Sequence, residues 1–146
     1  MGGTMTYRVY FTDSARKQVE NLSGNIRNTV AMLLKDMKRT PIMRRRGGKQ
    51  LVGRLSRYYQ YTIGGSFGYR MLLDIYQKQV WIICLLLKGP VNLGQQKKFN
   101  RTLHQFVDLY KQEIVDKKLW TEGKQIQGHV LYDPDDLKAL KNKESH

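Results

Sequence analysis

The stretch from Lys49 to Gly89, KQLVGRLSRYYQYTIGGSFGYRMLLDIYQKQVWIICLLLKG, leaves the chain few ways to fold. Tyr58, Tyr59 and Tyr61 lead into a Gly64-Gly65 pair, a strong hairpin signal. Gly68-Tyr69-Arg70 opens a second extended run through Met71, Leu72, Leu73 and Ile75. Gln77 and Lys78 mark another reversal. Val80 to Leu87 is then apolar throughout, as a strand covered on both faces must be. The stretch reads as a three-stranded meander. On its middle strand Tyr69, Met71, Leu73 and Ile75 form the apolar face, and Arg70, Leu72, Asp74 and Tyr76 the other. The apolar set of the first strand is Tyr59, Tyr61 and Ile63. An odd-length loop, for instance Gly64-Gly65-Ser66, puts both apolar sets on one side and Arg70 opposite Gln60, between Tyr58 and Thr62. A two-residue Gly64-Gly65 loop would put Tyr59 and Tyr61 beside Arg70. The first register gives the better core.

The preceding segments supply what covers that sheet. Tyr7, Val9 and Phe11 alternate with Arg8 and Tyr10, the pattern of a short strand. Thr12 or Asp13 caps a helix through Leu22, with Ala15, Val19 and Leu22 on one stripe, and Gly24 ends it. Asn25 caps a second helix carrying Ile26, Val30, Leu33, Leu34 and Met37, stopped by Thr40-Pro41. The expected fold is α+β: an antiparallel sheet of the N-terminal strand plus the meander, packed by an αα-hairpin. Arg44-Arg45-Arg46-Gly47-Gly48-Lys49 has no apolar residue and two glycines, and reads as a loop.

After Gly89-Pro90 the pattern changes. Gln95 to about Leu119 is helical, with a stripe of Phe99, Leu103, Phe106, Val107, Tyr110 and Ile114. That stripe would cover the sheet or pair with another chain. Trp120 to Gln127 reads as a loop, His129–Tyr132 as a short strand, and Asp133 as the cap of a last helix. The expected division is 5–93, a sheet domain, and 94–146, a mainly helical C-terminal extension.

Charge separates the same two parts. Of the formal net charge of +14, residues 1–93 hold 16 Lys/Arg against 4 Asp/Glu, and residues 94–146 hold 10 against 8. A small domain this basic points to phosphate, as RNA, DNA or a ribosome. The four cations between Arg44 and Lys49 repel one another unless an anion is present. One cysteine, Cys84, sits in the apolar Val80–Leu87 run and reads as a core residue. A lone thiol suits a reducing, cytoplasmic setting. His104, His129 and His146 have no ligand spacing, so neither metal nor cofactor is expected. No apolar run approaches the ~20 residues of a membrane helix, and no signal peptide is expected. Met5 is a candidate start.

The order strand, helix, helix, meander resembles the RelE/ParE superfamily of bacterial toxins over residues 7–90. Lys49-Gln50-Leu51-Val52-Gly53 resembles that family's K-L-x-G segment, and Gly68-Tyr69-Arg70 its G-Y-R segment. The resemblance implies a toxin of a toxin–antitoxin system: a metal-independent endoribonuclease (mRNA interferase) that inhibits translation by cutting mRNA on the ribosome. The 2′-hydroxyl would attack the scissile phosphate. The implied partners are mRNA, the ribosome and an acidic antitoxin protein, with a homo-oligomer through the extension also open. The implied catalytic residues are Arg70 for phosphate charge, Lys88 for phosphate charge or leaving-group protonation, and Tyr58 for proton transfer or base stacking. Arg44, Arg45, Arg46, Lys49, Arg54 and Arg57 would bind the flanking RNA. The alternative is a non-cleaving relative that binds DNA gyrase, RNA or a protein partner. Where some members carry paired lysines on the first meander strand, this chain has Gln60 and Thr62, or Tyr59 and Tyr61. No histidine or glutamate lies within 44–93, so a histidine serving the site would come from the extension, as His104 or His129.

Overall fold

A computed structural model describes residues 6–90 and 92–115. The chain runs β1 (Arg8–Phe11), α1 (Asp13–Glu20), α2 (Gly24–Met37), β2 (Gly48–Gln50), β3 (Tyr59–Ile63), β4 (Tyr69–Tyr76), β5 (Gln79–Leu87) and α3 (Leu93–Tyr110). The strands form one five-stranded sheet in the order β1-β5-β4-β3-β2. The expected meander is β3-β4-β5, antiparallel at both junctions.

Several expectations are corrected, two of them in the strands of the sheet. The sheet is mixed, because β1 pairs with β5 in parallel, with Tyr10 opposite Trp81. Parallel neighbours need a long crossover connection, and the αα-hairpin with the meander supplies one. Alternation in Tyr7–Phe11 defined faces but carried no direction. Secondly, the basic loop ends earlier than expected: Gly48 to Gln50 form β2, antiparallel to β3. No apolar alternation announces that strand. Its place is fixed by Tyr61, whose hydroxyl donates to Pro41 O at 2.6 Å and accepts from Met43 N at 2.8 Å. A Cβ on Gly48 would lie 2.8 Å from the Tyr61 ring, so glycine permits the approach.

The odd-length loop is present, but it is longer than the expected three residues. Ile63 pairs with Tyr69, leaving Gly64 to Gly68 as the turn. Both apolar sets therefore keep the expected side, while Arg70 sits opposite Thr62 rather than Gln60. The core on that side joins α1 and α2 (Ala15, Val19, Val30, Leu34, Met37) to Phe11, Tyr61, Met71, Leu73 and Ile82. Thr12 caps α1, accepting from Ala15 N, and its hydroxyl donates to Ile83 O across the sheet. Ser23, not Asn25, precedes α2, and Gly24 is its first residue rather than a terminator of α1.

The opposite face is covered too. α3 lays Leu103, Val107 and Tyr110 on Tyr10, Leu72, Trp81, Ile83 and Cys84. A bulge makes this second core possible. Leu72 pairs with Cys84 but Leu73 with Ile82, so Ile83 is an extra residue. Ile83 and Cys84 consequently both belong to the α3-side cluster, which strict alternation forbids. The helix expected to about Leu119 ends at Tyr110 and continues as a π-helical turn, Lys111–Val115. The features expected beyond residue 115 lie outside the described residues. The apolar stripe of α3 is thus used on the chain's own sheet. No described helix is long and apolar enough to cross a membrane.

Candidate active site

The site lies where α3 leaves the sheet. Antiparallel pairing places Arg70 opposite Leu86, and Lys88 N donates to Gly68 O at 2.9 Å. Arg70 and Lys88 are therefore on the same face, two steps apart on neighbouring strands. Arg54, in the 3₁₀ turn Gly53–Leu55, completes a cationic set around a cavity of about 400 Å³. Leu51, Val52, Leu55, Phe99 and Leu103 form its apolar lining. Gln60 of β3 and Gln96, Asn100 and His104 of α3 supply its remaining polar groups. Among the described residues no carboxylate lines the cavity.

Arg70 is held before any ligand arrives. Its guanidinium donates to the carbonyls of Gly65 (3.3 Å), Ser66 (2.8 Å) and Tyr69 (3.2 Å). Only 7 % of the residue is exposed, and burial lowers the guanidinium's pKa. The Gly68-Tyr69-Arg70 segment now has a physical account. A Cβ on Gly68 would lie 2.2 Å from Ile63 O, so only glycine closes this turn. Tyr69 joins the α1/α2 core, and Arg70 turns back to bind the turn's carbonyls.

The other expected site residues are placed as follows. Arg57 donates to both carboxylate oxygens of Asp74, at 3.3 and 3.2 Å. Burial works to lower its pKa, but the hydrogen bonds and charge of Asp74 outweigh that and raise it. Asp74 also accepts from Tyr110 at 2.6 Å. The acidic residue on Arg70's face is thus occupied by Arg57 and α3. Tyr58 is 2 % exposed, stands edge-on to Tyr110 and does not line the cavity. Burial, with the Asp74 charge, pushes its hydroxyl up to about 12. Arg44, Arg45 and Arg46 form one exposed 3₁₀ turn, with Arg46 paired to Asp36 of α2 on the opposite side of the sheet. Lys49 is exposed and pairs with Gln60, so its side chain leaves on the cavity face.

The sequence assigned no histidine to the site and noted only that His104 or His129 could reach it from the extension. His104 lines the cavity; His129 lies outside the described residues. A signal for His104 was available: Gln96, Asn100 and His104 repeat at every fourth position, beside the apolar Phe99, Leu103, Val107 stripe.

No protein-family model matches the chain, and no curated protein matches it. Solved structures similar to it are toxins of the superfamily that the sequence resembles. The RelBE2 toxin–antitoxin complex from Mycobacterium tuberculosis is 28 % identical, at a TM-score of 0.47 over 56 % of this chain and 98 % of that one. The RelE–RelB complex from Pyrococcus horikoshii is 20 % identical, at 0.48 over 60 % of this chain and 100 % of that one. The YoeB/ParE toxin from Agrobacterium tumefaciens is 16 % identical, at 0.49 over 55 % and 96 %. TM-scores of this size leave the function of the present chain to its own residues.

Proposed function

We propose that this chain is the toxin of a bacterial toxin–antitoxin system and acts as a ribosome-dependent endoribonuclease on mRNA. The observation that carries the reading is the cavity that Arg54, Arg70 and Lys88 line together, with no carboxylate among its described lining residues. A phosphate is the ligand that relieves such a cluster. In 2′-hydroxyl attack the phosphorane gains negative charge, and cations already held in place stabilise it most. Arg70 is anchored through backbone carbonyls and needs little rearrangement to do so. Lys88 neutralises the same phosphate and protonates the departing 5′-oxygen. Lys49 and the Arg44–Arg46 turn extend the basic surface for flanking RNA. Phe67, 60 % exposed and joined through its carbonyl to Gly89 N, offers a ring on which a base stacks. Tyr58 takes no proton in this scheme, because it is sealed beneath α3. The ribosome positions the strand. An acidic antitoxin is the expected inhibitor: toxin–antitoxin complexes were captured for similar toxins, and the charge of this chain suits such a partner.

Inducible expression followed by mapping of the 5′ ends of cellular messages tests the reading. Codon-phased cuts with translation arrest are expected, and Arg70→Ala should lower cutting by roughly 10²–10³-fold. Intact messages with DNA-damage signalling would point to gyrase instead.

A further inference from the structure

On the basis of that RNA-cleaving reading, we propose that His104 is the general base, taking the proton of the attacking 2′-hydroxyl. Around the cavity stand two guanidiniums, one ammonium, three amides and one imidazole. The guanidiniums and the ammonium carry no lone pair to receive a proton, and the amides do not titrate. Among the described lining residues, only the imidazole offers a basic lone pair to take the proton.

Its placement is fixed by packing. His104 follows Leu103 and lies one turn before Val107, residues only 4 % and 2 % exposed against the sheet. α3 therefore cannot rotate His104 away without lifting that stripe off the core. Arg54, Arg70 and Lys88 line the same cavity. On its own helix Arg101 and Asp108 stand at i−3 and i+4. The sheet contributes the phosphate-binding cations, and the helix contributes the base.

The step balances without an added reagent. The 2′-oxygen bonds to phosphorus as its proton passes to the imidazole. The bond from phosphorus to the 5′-oxygen breaks, and the Lys88 ammonium protonates that oxygen. The products are a 2′,3′-cyclic phosphate and a 5′-hydroxyl. The imidazolium then loses its proton to water, and the Lys88 amine regains one.

The test uses the full chain with ribosomes stalled on a defined mRNA. His104→Gln should cut at least about 10²-fold more slowly and lose the acidic limb of the pH–rate profile. It should still bind an mRNA carrying a 2′-deoxy substitution at the cut site as the unaltered protein does. An mRNA with a sulfur leaving atom at the 5′ position, which needs no protonation, should rescue Lys88→Ala but not His104→Gln. His104→Asn repeats the measurement should the glutamine variant unfold. Cutting by a folded His104 variant within about threefold of the original, or its rescue by the sulfur substrate, overturns the assignment while leaving the nuclease intact. Absence of cutting by the unaltered protein overturns both readings.

Discussion

Asp74 shows how one residue settles the fate of several others. It is 1 % exposed and binds Arg57 and Tyr110 at once. A buried carboxylate must be paired to be tolerated. That requirement removes Arg57 from the free cations and ties α3 to β4. Tyr110→Phe removes one charge-assisted hydrogen bond and should cost about 1.5–3 kcal/mol, read by denaturant unfolding. Two buried groups set the alkaline limit. Burial pushes Tyr58 up to about 12 from 10.0, and Cys84 up to about 12 from 9.0. Well below pH 9.0 both are protonated whether the chain is folded or not, so their contribution is complete there. Above it the unfolded chain releases protons first, and unfolding is favoured increasingly up to pH 12 or so. Thermal melts should fall across this window, and Cys84→Ala should shift the onset of the fall upward.

At the scale of elements, the β3–β4 turn and α3 decide whether a site exists. The turn's carbonyls hold Arg70, and Gly68 lets the turn close. Gly68→Ala forces backbone atoms apart; a cost of about 2 kcal/mol is expected, with loss of cutting greater than loss of fold. α3 is equally committed. Leu103, Val107, Tyr110 and Ile114 are each no more than 4 % exposed. At about 1.5–3 kcal/mol apiece, their burial is comparable with the 5–15 kcal/mol net stability of a typical domain. Deleting 94–146 should therefore give an insoluble or dye-binding product, not a more active one. A soluble truncated chain with raised activity would show that α3 acts as a removable cover. The division at residue 93 is one of charge and pattern, and the second core crosses it.

For the whole molecule, charge is the long-range property. With Arg70 and Lys88 on the scissile phosphate and Arg54 on a neighbouring one, two neutralised phosphates predict that log K for single-stranded RNA falls with log salt at a slope of about −1.4, steeper if Lys49 and the arginine turn join. Binding that ignores salt would remove nucleic acid from the reading. The layered arrangement explains why the charges end where they do. Helices α1 and α2 pack on one face of the sheet and α3 covers part of the other, so Arg70 and Lys88 open beside α3.

The local periods of the chain were enough to determine the meander, the apolar stripes of the helices and the face of each β4 side chain. These properties depend on residues close in sequence, whose alternation must match a pleat or a helical turn. The five-residue turn, the parallel β1–β5 pair, β2, the bulge at Ile83, the Arg57–Asp74–Tyr110 cluster and the arrival of His104 were decided by tertiary structure alone. Each depends on which distant segment supplies the neighbour, through hydrogen bonds and cores that no local pattern encodes. The Lys49–Gly89 stretch specified a sheet with a basic face; α3, packing its own apolar stripe, enclosed that face as a cavity.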